Sequence, residues 1–179
     1  MSGFLVVIVG SGGKEGVGES NQIKSTVASV SGALPAAECV LVNQSLGHGE
    51  QNGLRVIDAA GDPVGCLRRI ASEATADWIL VVTPGTELCR GIADIPSAAE
   101  EGAALVAGLV KSAGTDRLSP SRTGPLNDSA LLQALPILPA ATFFRPQALA
   151  ACGGFHPEDL DGSFRDVLRE VVVRRLKVC

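Results

Sequence analysis

The sequence predicts an α/β fold built on a mostly parallel central sheet, and three observations carry that prediction. Trp78–Val82 is a short, almost wholly apolar run closed by Pro84-Gly85, the pattern of a strand buried on both faces. Phe4–Val9 is a second such run, and it leads through a glycine-rich loop into a helical pattern. Strand and helix patterns flank Trp78 on both sides, which predicts a three-layer sandwich with helices on each face. In an open sheet of this kind, ligands sit beyond the carboxyl ends of the strands. Residues 83–87 are therefore the first place to look for chemistry.

Composition narrows the function. A chain of 179 residues is one domain by size, spanning residues 1–179, and it is long enough to bury a core without disulfides or metals. Hydrophobic residues make up 46% and charged residues 19%, which excludes disorder. The net charge is −4 with both signs interspersed, and that argues against a nucleic-acid partner, which needs clustered Lys and Arg. None of the five cysteines stands at C-x-x-C spacing, so a zinc site is not expected. Cys39, Cys66 and Cys152 fall inside apolar patterns and read as small buried hydrophobes in a reducing compartment, so the expected location is cytoplasmic. The apolar start is short, has no basic residues and runs into glycines, as a first strand does and a signal peptide does not. No apolar run approaches the ~20 residues of a membrane span.

The elements follow in order. After Phe4–Val9 comes the loop Gly10-Ser11-Gly12-Gly13-Lys14-Glu15-Gly16-Val17-Gly18, then a helix over residues 20–30 with Ile23, Val27 and Val30 at helical spacing. Such a loop lets backbone N–H groups approach a phosphate, which makes Gly10 and Ser11 candidate nucleotide-binding residues. It is not a P-loop, because Glu15 follows Lys14 where Ser or Thr is required. The spacing of Gly12, Gly16 and Gly18 is similar to that of short-chain dehydrogenases and would imply NAD or NADP. That family's proton donor is a tyrosine, and the chain contains none. A plain flexible connection is the other reading of this loop.

Residues 37–42 form the second strand, ending at Asn43-Gln44-Ser45. A polar loop containing His48, to which no role is given, precedes a third strand over residues 54–57. Asp62-Pro63 opens a helix with an N-cap and a first-turn proline. Its inner face is Cys66, Leu67, Ile70, Ala71 and Ala74, with Arg68, Arg69 and Glu73 outward. After Leu88, a mixed acidic segment with a short helix leads to a strand over residues 103–110. Residues 111–128 carry Gly, Ser, Pro, Asp and Arg without a period and read as a mobile loop. A last strand, residues 136–144, contains prolines and suits an edge or an irregular start. Pro146–Cys152 is a short helix stopped by Gly153. An acidic turn follows, and Ser163 begins a final helix with Phe164, Val167, Leu168, Val171 and Val172 inward. Ser163 and Asp166 stand at capping-box spacing.

Taken together, these pieces resemble the family 2 glycosyltransferases, which have the GT-A nucleotide-sugar transferase fold. The most specific part runs from Phe143-Phe144-Arg145-Pro146-Gln147-Ala148-Leu149 to Gly153-Gly154-Phe155, with Arg165-Asp166 where the family has Glu-Asp and Arg169 and Arg174 beyond it. The resemblance implies transfer of a sugar from a nucleotide-sugar donor to an acceptor. It makes Asp166 the general base and puts Gly153, Gly154 and Phe155 on the acceptor side. Asn43, Thr83 and Gly85 join Gly10 and Ser11 around the nucleotide.

Departures from the family lie in its acidic positions. Val82-Thr83-Pro84-Gly85-Thr86-Glu87-Leu88 matches the metal-motif segment in length, yet Thr83, Gly85 and Thr86 replace its aspartates. Divalent ions need hard anionic oxygen ligands, so the metal motif reads as degenerate, with Mn²⁺ or Mg²⁺ expected only if Glu87 and the donor phosphates suffice. Asn43-Gln44 replaces the paired aspartates after the second strand, and Lys14, Arg122 or Arg145 is offered as an electrostatic substitute for the ion. Three functions stay open: a transferase of reduced or absent activity, an inactive scaffold or binding module on the same fold, and an NAD(P)-binding Rossmann-type protein. A nucleotide sugar or nucleoside diphosphate is the expected ligand, and a homo-oligomer is compatible with all three.

Overall fold

The computed structural model describes residues 3–10, 17–43, 49–51, 54–59, 61–89, 91–98, 103–107, 110–111, 118–119, 142–152 and 177–178. The chain runs β1 (Phe4–Val9), α1 (Val17–Ala33), β2 (Glu38–Asn43), β3 (Gly49–Gln51), β4 (Leu54–Asp58), α2 (Pro63–Glu73) and β5 (Trp78–Val82). Two 3₁₀ turns, Ile92–Asp94 and Pro96–Ala98, lead to β6 (Ala103–Ala107), β7 (Val110–Lys111), β8 (Leu118–Ser119), β9 (Thr142–Phe144), α3 (Pro146–Cys152) and β10 (Lys177–Val178). Eight strands form one sheet in the order β10-β6-β9-β5-β1-β2-β4-β3. The central pairs β5–β1, β1–β2 and β2–β4 are parallel, as is β10–β6, whereas β9 runs antiparallel between β5 and β6.

The apolar runs in β1 and β5 are continuous because each strand is covered twice. Alternation along β1 sends Val6 and Ile8 to one face, where they meet Ile23 and Val30 of α1, Leu34 just after it, and Leu41, Leu80 and Val82. Leu5, Val7 and Val9 go to the other face, against Cys66, Leu67, Ile70 and Ala71 of α2 and Leu149 of α3. The path β1-α1-β2 crosses the sheet in one direction and β4-α2-β5 in the other. Right-handed crossovers of opposite direction put their helices on opposite faces, which gives the three-layer sandwich. Because the chain changes direction there, β1 and β5 flank the topological switch point.

Local signals account for α2. Asp62 Oδ1 accepts a hydrogen bond from Gly65 N at 2.8 Å, and Pro63 takes the first helical position. A Cβ on Gly65 would collide with the Asp62 carboxylate, so glycine there makes room for the cap. Such a cap stabilises by about 1 kcal/mol. Each fully buried Leu, Ile or Phe contributes roughly 1.5–3 kcal/mol, so the core and not the cap holds the helix in place. Burial pushes the Cys66 thiol above its ordinary pKa, and it does the same to half-buried Cys39, where the Glu38 carboxylate adds to it. Cys89 is exposed.

Some elements differ from the sequence reading, and others lie outside the described residues. The polar segment after β2 contains β3, which pairs antiparallel with β4 at the sheet's edge, where an apolar pattern is not required. The segment read as a mobile loop over residues 111–128 contains part of a ladder, Val110–Lys111 against Leu118–Ser119. The strand expected over residues 103–110 ends at Ala107, and of the strand expected over 136–144 only Thr142–Phe144 is described. Lys177–Val178 adds a strand beside β6 that no pattern announced. The final helix expected from Ser163 lies outside the described residues.

Candidate functional site at the carboxyl ends of the central strands

Register brings the ends of four strands together. Ile8 pairs with Val82 and Val9 with Val42, so Gly10 follows β1 beside the ends of both β5 and β2. Gly10 N donates to Val42 O at 2.9 Å, and Ala59 N donates to Asn43 O at 2.9 Å, extending the ladder one step past the strands. Asn43 pairs with Asp58 at the end of β4 and is 1% exposed. A methyl group on Gly10 would lie 3.2 Å from Glu19 Oε1 and 3.4 Å from Asn43 Nδ2. Both side chains therefore lie against Gly10, and a Cβ there would require them to give by a few tenths of an ångström.

Beyond β5, the chain makes a tight turn. Thr86 N donates to Thr83 O at 3.1 Å across Pro84 and Gly85, and Gly85 has φ 89°. Proline at the second position and a glycine of positive φ at the third are the marks of a type II turn. That geometry directs the Gly85 N–H away from the turn, where Thr26 Oγ1 on α1 accepts it at 2.9 Å. One turn of helix further on, Ser29 Oγ accepts from Leu88 N at 2.7 Å and donates to Leu88 O at 3.4 Å. Gln22 lies against Gly85, with its Cδ 3.8 Å from the position of an added Cβ. Gln22, Thr26 and Ser29 thus form one stripe along α1 that fastens the segment from Gly85 to Leu88.

The donors of this turn are neutral. Thr83 and Thr86 hydroxyls are 3.5 Å apart, within reach of one long hydrogen bond, Gly85 has no side chain, and Glu87 is exposed. Among the described residues no three His, Cys, Asp or Glu side chains stand close enough to hold a metal ion. Glu87 is the one carboxylate in the segment from Thr83 to Leu88.

Of the residues singled out from the sequence, Gly10, Asn43, Thr83 and Gly85 come together here. Ser11, Gly153, Gly154, Phe155 and Asp166 lie outside the described residues, as do Lys14 and Arg122. Arg145 does not belong to the site. Its guanidinium carbon stacks 3.9 Å from the Trp78 ring centroid and Nη1 donates to Asp77 O at 3.3 Å, both at the amino end of β5. Five residues of strand separate it from Thr83, roughly 16 Å, which is too far to substitute for an ion there. Sequence reasoning missed Glu19, Thr26 and Ser29. The available signal was Thr26, a polar residue set among Ile23, Val27 and Val30 on the inner stripe of the helix, where burial demands a partner.

Among solved structures, the chain is similar to the crystal structure of S. aureus TarS 1-349, with a TM-score of 0.61 at 16% sequence identity. The fold is GT-A-like. The match covers 98% of this chain and 57% of the TarS chain, so this chain spans little more than half of that structure. No protein-family model and no curated protein matches the sequence. On this GT-A-like frame, the turn after β5 is the segment that the sequence resemblance aligned with an acidic motif. No helix among the described residues is long and apolar enough to cross a membrane.

Proposed function

We propose that the chain is a glycosyltransferase-like domain that binds a nucleotide sugar at the carboxyl ends of β1, β2 and β5. The observation that carries this reading is the convergence of Gly10, Asn43 and the turn of Thr83–Thr86 at the switch point of a GT-A-like sheet. Ligands of open α/β sheets bind at that point. In this reading the nucleotide lies beyond the end of β1, with Gly10 and Ser11 beside it. Buried Asn43 backs the site beside Gly10 without charge, and the Thr83 and Thr86 hydroxyls face the diphosphate. Asp166 takes the proton of the acceptor hydroxyl, with Gly153, Gly154 and Phe155 on the acceptor side.

A second reading, a binding module without transfer activity, is favoured by one observation. The neutral donors at the turn offer little to stabilise a departing diphosphate. Both readings require nucleotide binding at the same place, so binding is tested first. A thermal-shift panel of UDP, GDP and dTDP with their sugars, each with and without Mn²⁺, is run beside NAD and NADP. A ligand at about 100 times its Kd stabilises by about 2.7 kcal/mol, so a nucleoside diphosphate or its sugar is expected to raise the melting temperature clearly. A shift with NAD or NADP alone would replace this reading with a dinucleotide-binding one. Once a donor is known, Asp166→Asn separates the two readings: it should abolish transfer and spare donor binding in an enzyme.

A further inference from the structure

We infer that Thr26 and Ser29 are positioning residues that hold the turn after β5 in its ligand-ready shape, so that the site takes a nucleoside diphosphate without a divalent cation. The ligand half of this inference rests on the function proposed above. The positional half rests on hydrogen bonds alone.

Two features of the turn lead to it. A loop meant to carry an ion is held by that ion, because carboxylates drawn together repel one another until a cation is bound. Here no such repulsion arises, since Thr83, Pro84, Gly85 and Thr86 are uncharged. The turn is instead tied at two points to the adjacent helix. Thr26 is fully buried and receives the Gly85 N–H at 2.9 Å. Ser29 engages both backbone groups of Leu88, receiving N–H at 2.7 Å and donating to the carbonyl at 3.4 Å. Helix α1 is itself packed on the sheet through Ile23 and Val30, so the ties lead to the core of the molecule. A site whose donors are locked before the ligand arrives loses less ordering entropy on binding, and here hydroxyls do the locking.

The test reads the turn directly. Amide hydrogen exchange of the ¹⁵N-labelled full chain is followed in EDTA and again in Mg²⁺. Gly85 and Leu88 amides should be protected equally in both solutions. Thr26→Val should speed exchange at Gly85 at least tenfold while β1 and β5 amides keep their protection, Thr26→Ser should restore it, and Ser29→Ala should act in the same way on Leu88. Protection that appears only with Mg²⁺, or a Gly85 rate unchanged in Thr26→Val, overturns the inference. Should Thr26→Val fail to fold, the wild-type comparison of EDTA with Mg²⁺ and the Ser29→Ala result still decide it. Calorimetric titration with UDP, GDP and dTDP supplies the ligand arm. Affinities equal within about twofold in EDTA and Mg²⁺, and at least fivefold weaker in Thr26→Val but not in Thr26→Ser, support the inference. Affinity only with Mg²⁺ overturns it and leaves the functional reading intact. No binding in either solution ends the functional reading and the cation-free ligand claim with it, and the exchange pattern then judges the positional half by itself.

Discussion

The two ends of β5 are built from opposite materials. At the amino end, charge and aromaticity do the holding: Arg145 stacks on Trp78, its Nη1 reaches Asp77 O, and Asp77 Oδ2 accepts from Gly3 N at 2.9 Å. At the carboxyl end, the turn after β5 is tied by neutral hydroxyls, from Thr26 and Ser29 to the Thr83–Thr86 pair. All five residues between are buried. The contrast separates two jobs that share one strand. Charged groups at the amino end serve the fold, while the turn at the end facing the switch point is fastened by uncharged groups.

The most severe way to break this contrast is at the amino end. Trp78 is 2% exposed and touches both the core and Arg145, so Trp78→Ala should cost about 3–5 kcal/mol in urea unfolding. A loss below about 1 kcal/mol would mean that this end is not structural. At the other end, Thr26→Val leaves the Gly85 N–H without its acceptor and should cost about 1–3 kcal/mol, with Thr26→Ser recovering most of it. Gly85→Ala forces a side chain into φ 89° and should cost about 1–2 kcal/mol, measured by thermal unfolding. The double substitution Thr83→Asp with Thr86→Asp tests the charge difference itself. It should create a Mn²⁺-dependent rise in melting temperature, and the same rise in the parent chain would contradict the neutral site. Arg145→Met should be the mildest, under about 1 kcal/mol, because the cation–π contact is only half-buried and the methionine stem keeps the packing. Nucleotide affinity unchanged in Arg145→Met would agree with its place at the far end of the strand.

Much of the frame was legible from residues near one another in the chain. Phe4–Val9, Trp78–Val82, the Asp62 cap and Pro146–Cys152 announce themselves through local pattern, because burial on both faces, a capping oxygen and a fixed proline φ act over a few residues. The inner face of α2 was legible for the same reason. β3 and β10 were not, since a short edge strand takes its hydrogen bonds from a neighbour and needs no apolar period of its own. Half of the site was similarly legible. Gly10, Asn43, Thr83 and Gly85 follow from the rule that ligands meet strand ends, whereas Glu19, Thr26 and Ser29 belong to a helix whose rotation about its axis the sequence pattern fixed only coarsely.

By itself, then, the sequence determined the alternation of strand and helix, the double covering of the sheet, the Pro84-Gly85 turn and the uncharged run from Thr83 to Thr86. Tertiary structure alone decided which strands neighbour one another, with β9 inserted antiparallel beside β5, and which end of β5 each polar residue serves. Thr26 meets Gly85 across 59 residues and Arg145 meets Asp77 across 68. Contacts of such separation depend on how the layers stack, and no local periodicity encodes them. Arg145 beside the aligned motif in the sequence reading and Arg145 at the opposite end of the strand in the fold differ for that reason.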